Sequence, residues 1–243
     1  MTALTVRAIP AARRASALYC VTYGRGVPVL LIHGFGACGE SMQPLALQFA
    51  ARYQTIVPDL RGHGQSQRLP LADSIDRLSA DLHELLDLLD VEPAFVLGHA
   101  GGAVVAAQLA ADYPASVRGL ALISPPQLST SRRKPIVSHL RHGLAALFGR
   151  NGYAGAHDEH ACQRLLQQVD CHTQLRAIGA PALVVTGSDD PVSTPHNARE
   201  MAQMLRCGEL AVLAGGGPRL LHTHGMALAD LLSSWLARLE CAV

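Results

Sequence analysis

The chain has 243 residues, of which 49% are apolar and 16% charged. That is enough for one large α/β domain with a full core, and it excludes a disordered chain. The net charge is +1 and Arg132-Arg133-Lys134 is its one short basic tract, which argues against nucleic acid or an anionic membrane as a partner. The N-terminal arginines, Arg7, Arg13 and Arg14, are followed by no apolar run, so neither a signal peptide nor a membrane span is expected. The cysteines Cys20, Cys38, Cys162, Cys171, Cys207 and Cys241 are scattered without a CxxC pair. Reduced thiols in a cytoplasmic protein are the expectation.

In chain order, residues 1–16 read as a loose lead-in. Leu18 to Tyr23 alternates as a strand does, and Gly24-Arg25-Gly26 turns the chain. Val27 to Ile32 is a near-continuous apolar run, the pattern of a strand buried on both faces, and it ends in His33-Gly34-Phe35-Gly36. A helix is predicted from about Glu40 to Ala51, then a short strand at Thr55–Val57. A glycine-rich loop follows, Asp59-Leu60-Arg61-Gly62-His63-Gly64-Gln65-Ser66. Asp73 or Ser74 can cap a helix running to about Asp90, with Ile75, Leu78, Leu82, Leu85, Leu86 and Leu89 at helical spacing.

Ala94 to Leu97 is the next apolar strand. It stops at Gly98-His99-Ala100-Gly101-Gly102, and a helix of small residues begins at Gly101. Strand, sharp turn and helix with Gly98-x-Ala100-x-Gly102 have the spacing of the nucleophile elbow, G-x-S-x-G. Alanine stands where the nucleophile would. Beyond it, Val117 to Ile123 reads as a strand stopped by Pro125-Pro126. The alternation breaks over 127–175, with helices predicted at 136–148 and around 160–169. Strands return at 182–186 and 209–213, each followed by a helix, at 197–205 and 226–239. Strands alternating with helices imply a mostly parallel sheet covered on both faces. No repeat, linker or low-complexity segment divides the chain.

His33-Gly34-Phe35-Gly36, Asp59-x-Arg61-Gly62-x-Gly64-x-Ser66, the Gly98–Gly102 elbow and Gly187-x-x-Asp190 stand in this order. Together they resemble the α/β-hydrolase superfamily over nearly all of residues 18–240. The resemblance implies an α/β-hydrolase fold, with a mostly parallel central sheet, helices on both faces and a short helical cap. The core would be 1–126 and 176–243 and the cap 127–175, with ligands between the sheet's carboxyl end and the cap. It also implies four catalytic parts: a nucleophilic hydroxyl, a histidine base, an orienting carboxylate and two backbone donors for an oxyanion.

Carried onto this chain, the resemblance makes Phe35 and Gly101 the oxyanion-hole donors and Asp190 the acid, with Asp189 its near alternative. The histidine would be expected in a G-x-G-H loop, but Gly215-Gly216-Gly217-Pro218-Arg219 puts Pro218 or Arg219 there. Neither accepts a proton as a base does. His222 is then the possible base, with His224 nearby. Gly34, His99, Leu140, Leu144 and Phe148 are expected to line the ligand site, the last three as part of an apolar roof. His139 and His142 share a face of the same predicted helix. His63 reads as a structural loop residue. His157-Asp158-Glu159-His160 with Cys162 reads as cap surface, not as a metal site, and no cofactor is expected.

Three functions fit. One is a hydrolase-derived protein that has lost serine hydrolysis and binds a small, largely apolar molecule. The second is an ester or thioester hydrolase carrying alanine in place of its serine at position 100, working through Asp190 and His222. The third is a lyase, decarboxylase or cyclase that uses the oxyanion hole without a covalent step. The sequence is silent on oligomeric state.

Overall fold

Each buried strand alternates its apolar side chains between two faces, and two separate cores result. Leu30, Ile32, Val96, Leu120, Leu122 and Val184 pack on one side of the sheet; Val29, Leu31, Phe95, Leu97, Ala121, Ile123, Leu183 and Val185 pack on the other. In the computed structural model, which describes residues 7–9, 18–126, 162, 164–166 and 169–241, eight strands form one sheet in the order β1-β2-β4-β3-β5-β6-β7-β8. They are β1 Arg7–Ile9, β2 Cys20–Tyr23, β3 Val27–Ile32, β4 Tyr53–Pro58, β5 Ala94–His99, β6 Val117–Ile123, β7 Ala182–Gly187 and β8 Gly208–Leu213. The β1–β2 and β2–β4 pairs are antiparallel and the other five parallel.

Helices cover both faces. Helix α1 (Gln43–Phe49) and the long C-terminal α7 (Gly225–Cys241) close the core around Phe95 and Trp235. On the other side lie α2 (Ile75–Leu89), α3 (Gly101–Asp112), α4 (Cys171–Ala177) and α5 (Pro195–Met204). A one-turn α6, Leu220–Thr223, precedes α7. Helix α2 begins where expected, because the Ser74 hydroxyl accepts the Arg77 amide.

Two segments depart from the sequence reading. The lead-in is not all loose: Arg7–Ile9 pairs antiparallel with β2, a strand too short to show a pattern. The helix expected over 40–51 is split into a 3₁₀ turn, Gly39–Met42, and α1. Pro44 in the first turn of α1 has no N–H to carry one continuous ladder across that break. The helix expected over 136–148, with Leu140, Leu144 and Phe148, and the polar stretch 157–160 lie outside the described residues. Cys162, Leu165 and Leu166 are buried in the core, and α4 runs across the expected cap boundary at 175/176.

The topology fixes where a ligand can enter. From β3 the chain passes through α1 to β4 on one side; from β5 it passes through α3 to β6 on the other. Connections that diverge in this way open a crevice at the carboxyl ends of the two adjacent strands, β3 and β5. Those ends carry His33-Gly34-Phe35 and His99-Ala100-Gly101.

Candidate functional site

Ala100 lies between β5 and α3 with φ 50° and ψ −120°, a conformation that strains an L-residue by about 1–3 kcal/mol. The surroundings impose it. The Ala100 amide donates to the Ile123 carbonyl (2.9 Å) and its carbonyl accepts the Ala103 amide (2.9 Å). A Cβ on Gly98 would run into the Gly102 carbonyl, and one on Gly102 into the carbonyls of His33 and Ile32. The chain therefore holds residue 100 in the geometry of a nucleophile and presents a methyl group.

The loop facing it is equally fixed. His33 Nδ1 donates to the Gly34 carbonyl (2.8 Å), and its Nε2 accepts the Leu60 amide (3.0 Å); those two bonds assign the tautomer. Phe35 is buried with its ring over Gly101, where a Cβ would collide with it. Among the described residues the amides of Phe35 and Gly101 have no hydrogen-bond partner. Gly101 is the first residue of a 12-residue helix, the partly positive end of its dipole.

The Asp59–Ser66 motif supports this loop. Asp59 accepts the amides of Gly39 (2.6 Å) and Gln65 (2.7 Å), and the Ser66 hydroxyl accepts that of Tyr19 (2.8 Å). His63 is buried, 5.3 Å from the His33 ring and 6.2 Å from Phe35 by ring centres. Arg61 donates twice to Asp81 on α2 (2.6 and 2.8 Å), with both side chains buried.

Asp190 follows β7, is 3% exposed, and its Oδ1 accepts the amides of Val192 and Ser193, each at 2.9 Å. Asp189 is exposed and accepts the Ser188 hydroxyl (2.7 Å). The glycine loop after β8 packs down onto this turn: the Asp189 amide donates to Gly216 (2.8 Å), the Gly215 amide to the Ser188 hydroxyl (2.8 Å), and Gly187 has no room for a Cβ against Gly216. Pro218 and Arg219 follow that tight packing, and Arg219 is exposed at the start of α6.

His222, on α6, is also exposed, and among the described residues it makes no hydrogen bond to Asp190. His224 Nδ1 is bonded by the Thr223 hydroxyl (2.9 Å). His222 lies close enough to His99 to act on it electrostatically. Burial, and then His222, bring the His99 pKa down to about 4. The His99 ring lies beside Gly34, and its Nε2 is shielded from solvent with no partner among the described residues.

The structure thus gathers Gly34, Phe35, His99, Ala100 and Gly101 at one crevice, with His222 within electrostatic range of His99. It also brings up a residue the sequence reading passed over. Ser124, the residue after β6, has φ 43° and is 3% exposed, and among the described residues its hydroxyl has no partner. Its only sequence signal is its place between a buried strand and Pro125-Pro126. Among the described residues no group of three or more His, Cys, Asp or Glu is placed to hold a metal, and no helix is long and apolar enough to cross a membrane.

With this elbow, this loop and this strand order in place, the chain belongs to the α/β-hydrolase fold family, whose sequence profile matches residues 27–159. Its relatives include enzymes of several kinds. It is 28% identical to a non-heme chloroperoxidase of Streptomyces lividans, over 86% of this chain and 91% of that one. It is 25% identical to an (E)-2-((N-methylformamido)methylene)succinate hydrolase of Acinetobacter baylyi, over 88% and 91%. A 42% identity to the magnesium-chelatase 30 kDa subunit of Rhodobacter capsulatus covers 37% of this chain and only 32% of that protein. The matches to several other curated relatives likewise span less than half of the relative's length. Among solved structures, an esterase from Thermogutta terrifontis with malate bound superposes with TM-score 0.78 at 21% identity, over 97% of this chain and 99% of that one. A bromoperoxidase from Bacillus anthracis does so with TM-score 0.74 at 19% identity, over 97% and 100%. At these identities the likeness establishes the fold alone.

Proposed function

We propose that this protein no longer carries out serine hydrolysis and instead binds a small, largely apolar molecule in the crevice beside Ala100, without covalent attachment. The observation that carries this reading is a strained elbow, with two amides that have no partner among the described residues, around a side chain that has no oxygen. Covalent acyl transfer needs a nucleophile and a base within hydrogen-bond reach of each other. Ala100 supplies no nucleophile, and His222 stands exposed and unlinked to Asp190. What persists is a pair of backbone N–H donors, one of them at a helix N-terminus, suited to an oxygen bearing negative charge. Backbone donors are unaffected by the loss of a side-chain hydroxyl. Six cysteines without a disulfide favour the cytoplasm as the place of action, and the near-neutral charge favours a small molecule over nucleic acid or membrane.

The test is p-nitrophenyl butyrate turnover by the protein as it stands and by Ala100→Ser. Both are expected to stay near the buffer rate. Turnover by the unaltered protein that is lost in Asp190→Asn would overturn the reading. So would a burst from Ala100→Ser that His222→Ala removes, which would make the protein a hydrolase disabled only at position 100.

A further inference from the structure

The two edges of the sheet are finished differently. At one, β1 is three residues long, and a strand that short offers little to pair with. At the other, β8 runs six residues, Gly208–Leu213, in unbroken parallel register with β7. It contains no lysine, proline or bulge, the devices that keep an open edge from pairing. Its one charge, Glu209, is already met by Arg238 (2.6 Å) and by the Trp235 indole (3.1 Å). Val212 is 41% exposed, and Gly208 is exposed as well.

Two bonds fix which backbone groups of β8 face outward. The Ala182 amide donates to the Cys207 carbonyl and the Ser188 amide to the Leu213 carbonyl, each at 2.9 Å. Residues 207 and 213 therefore face β7, and with a period of two so do 209 and 211. The N–H and C=O groups of Gly208, Leu210 and Val212 face the other way. Among the described residues β8 has no second strand beside it. Leu210 packs toward the core on the α5 side, and alternation puts Gly208 and Val212 on that same face.

This row of groups is complementary to itself. A second β8 can lie antiparallel to it about a two-fold axis between the two Leu210 residues. Gly208, Leu210 and Val212 then face Val212, Leu210 and Gly208 of the second copy, and each facing pair exchanges two hydrogen bonds. Val212 falls opposite a residue with no side chain, Leu210 opposite Leu210, and Glu209 opposite Ala211. A slip of two residues one way would set Glu209 against Glu209, like charges directly opposed. A slip the other way would set Gly208 against Ala214, beyond the end of the strand.

We infer that the β8 edge is a docking surface for a second copy of this chain, and that antiparallel pairing centred on Leu210 joins two eight-stranded sheets into one. The paired stretch runs from Gly208 to Val212 and leaves Cys207 outside it.

Sedimentation velocity of the full chain from about 1 to 100 μM tests it. A dimer is expected to build up over that range. Val212→Pro removes an outward N–H and no bond of the β7 ladder, and Val212→Lys gives the edge a charge of the kind that blunts one. Each is expected to weaken the dimer at least about tenfold with an unchanged circular dichroism spectrum. Cysteines read the register. In a Cys207→Ser, Cys241→Ser background, Leu210→Cys puts thiols on residues whose Cα atoms are about 5.5 Å apart, within reach of a disulfide. Val212→Cys puts them about 14 Å apart. Mild oxidation should crosslink the first and not the second. A chain that is monomeric at every concentration would overturn the inference. So would a dimer that Val212→Lys leaves intact, or one in which Leu210→Cys does not crosslink, since another surface or another register would then hold it.

Discussion

Ala100 keeps a backbone conformation suited to a side chain it does not have, and His99 beside it keeps a ring nitrogen with no partner among the described residues. The two are covalent neighbours, so the turn that strains one also sets the other into the crevice. The depressed pKa of His99 has a consequence for stability. An unfolded chain takes up a proton on His99 near pH 6.5, while the folded one declines it until about pH 4. The stability held by the neutral ring is therefore complete above pH 6.5 and is lost as the pH falls through that window, by up to about 3 kcal/mol. Urea unfolding between pH 7 and pH 4 should show the decline. In His99→Phe the slope over the same range should be shallower, and an unchanged slope would show that another group titrates there.

Between elements, the crevice depends on ties the reacting chemistry never touches. The loop that carries Phe35 is held through His33 to the Leu60 amide, and the loop after β4 is held through Arg61 to Asp81 on α2. Asp81 also meets Arg77, one turn earlier on its own helix, at 3.0 Å. Removing one partner of a buried pair leaves the other charge uncompensated, at a cost of about 3–5 kcal/mol. Asp81→Ala is expected to lower stability by about that amount in urea melts followed by circular dichroism; a loss below about 1 kcal/mol would mean the pair behaves as a surface one. These ties explain why Asp59-x-Arg61-Gly62-x-Gly64-x-Ser66 is recognisable in the sequence although it supplies no reacting atom. Its residues hold amides and a neighbouring helix in place.

For the whole molecule, much of the architecture was legible because parallel strands buried on both faces leave unbroken apolar runs. Val117–Ile123 coincides with its strand, and the elbow glycines mark a close approach that admits no Cβ. β1 was not legible, since three residues carry no period, and neither was the break before α1. The site was half legible. The backbone donors follow from motif positions, but the relation of His222 to Asp190 depends on how a glycine loop packs, and spacing does not reveal that. Ser124 was invisible because an unpartnered hydroxyl is a property of three-dimensional surroundings. The cysteines give a test at this scale. Cys20, Cys38, Cys162 and Cys171 are buried, while Cys207 and Cys241 are exposed. Burial, with Asp59 adding to it, raises the Cys20 thiol to about 12, far from a reactive thiolate. Iodoacetamide at pH 8 should label Cys207 and Cys241 in the native protein and the other four only after unfolding. Early labelling of Cys20 in intact-mass spectra would contradict the packing around β2.

The methyl group at the elbow also decides how the protein can be found. Fluorophosphonate tags, which inventory serine hydrolases in an extract, react with an oxygen on that turn. Against this chain they have no such atom to phosphonylate. A survey built on them would pass over a protein whose cradle matches that of the enzymes it counts, and only reversible capture on an immobilised ligand would bring it into view.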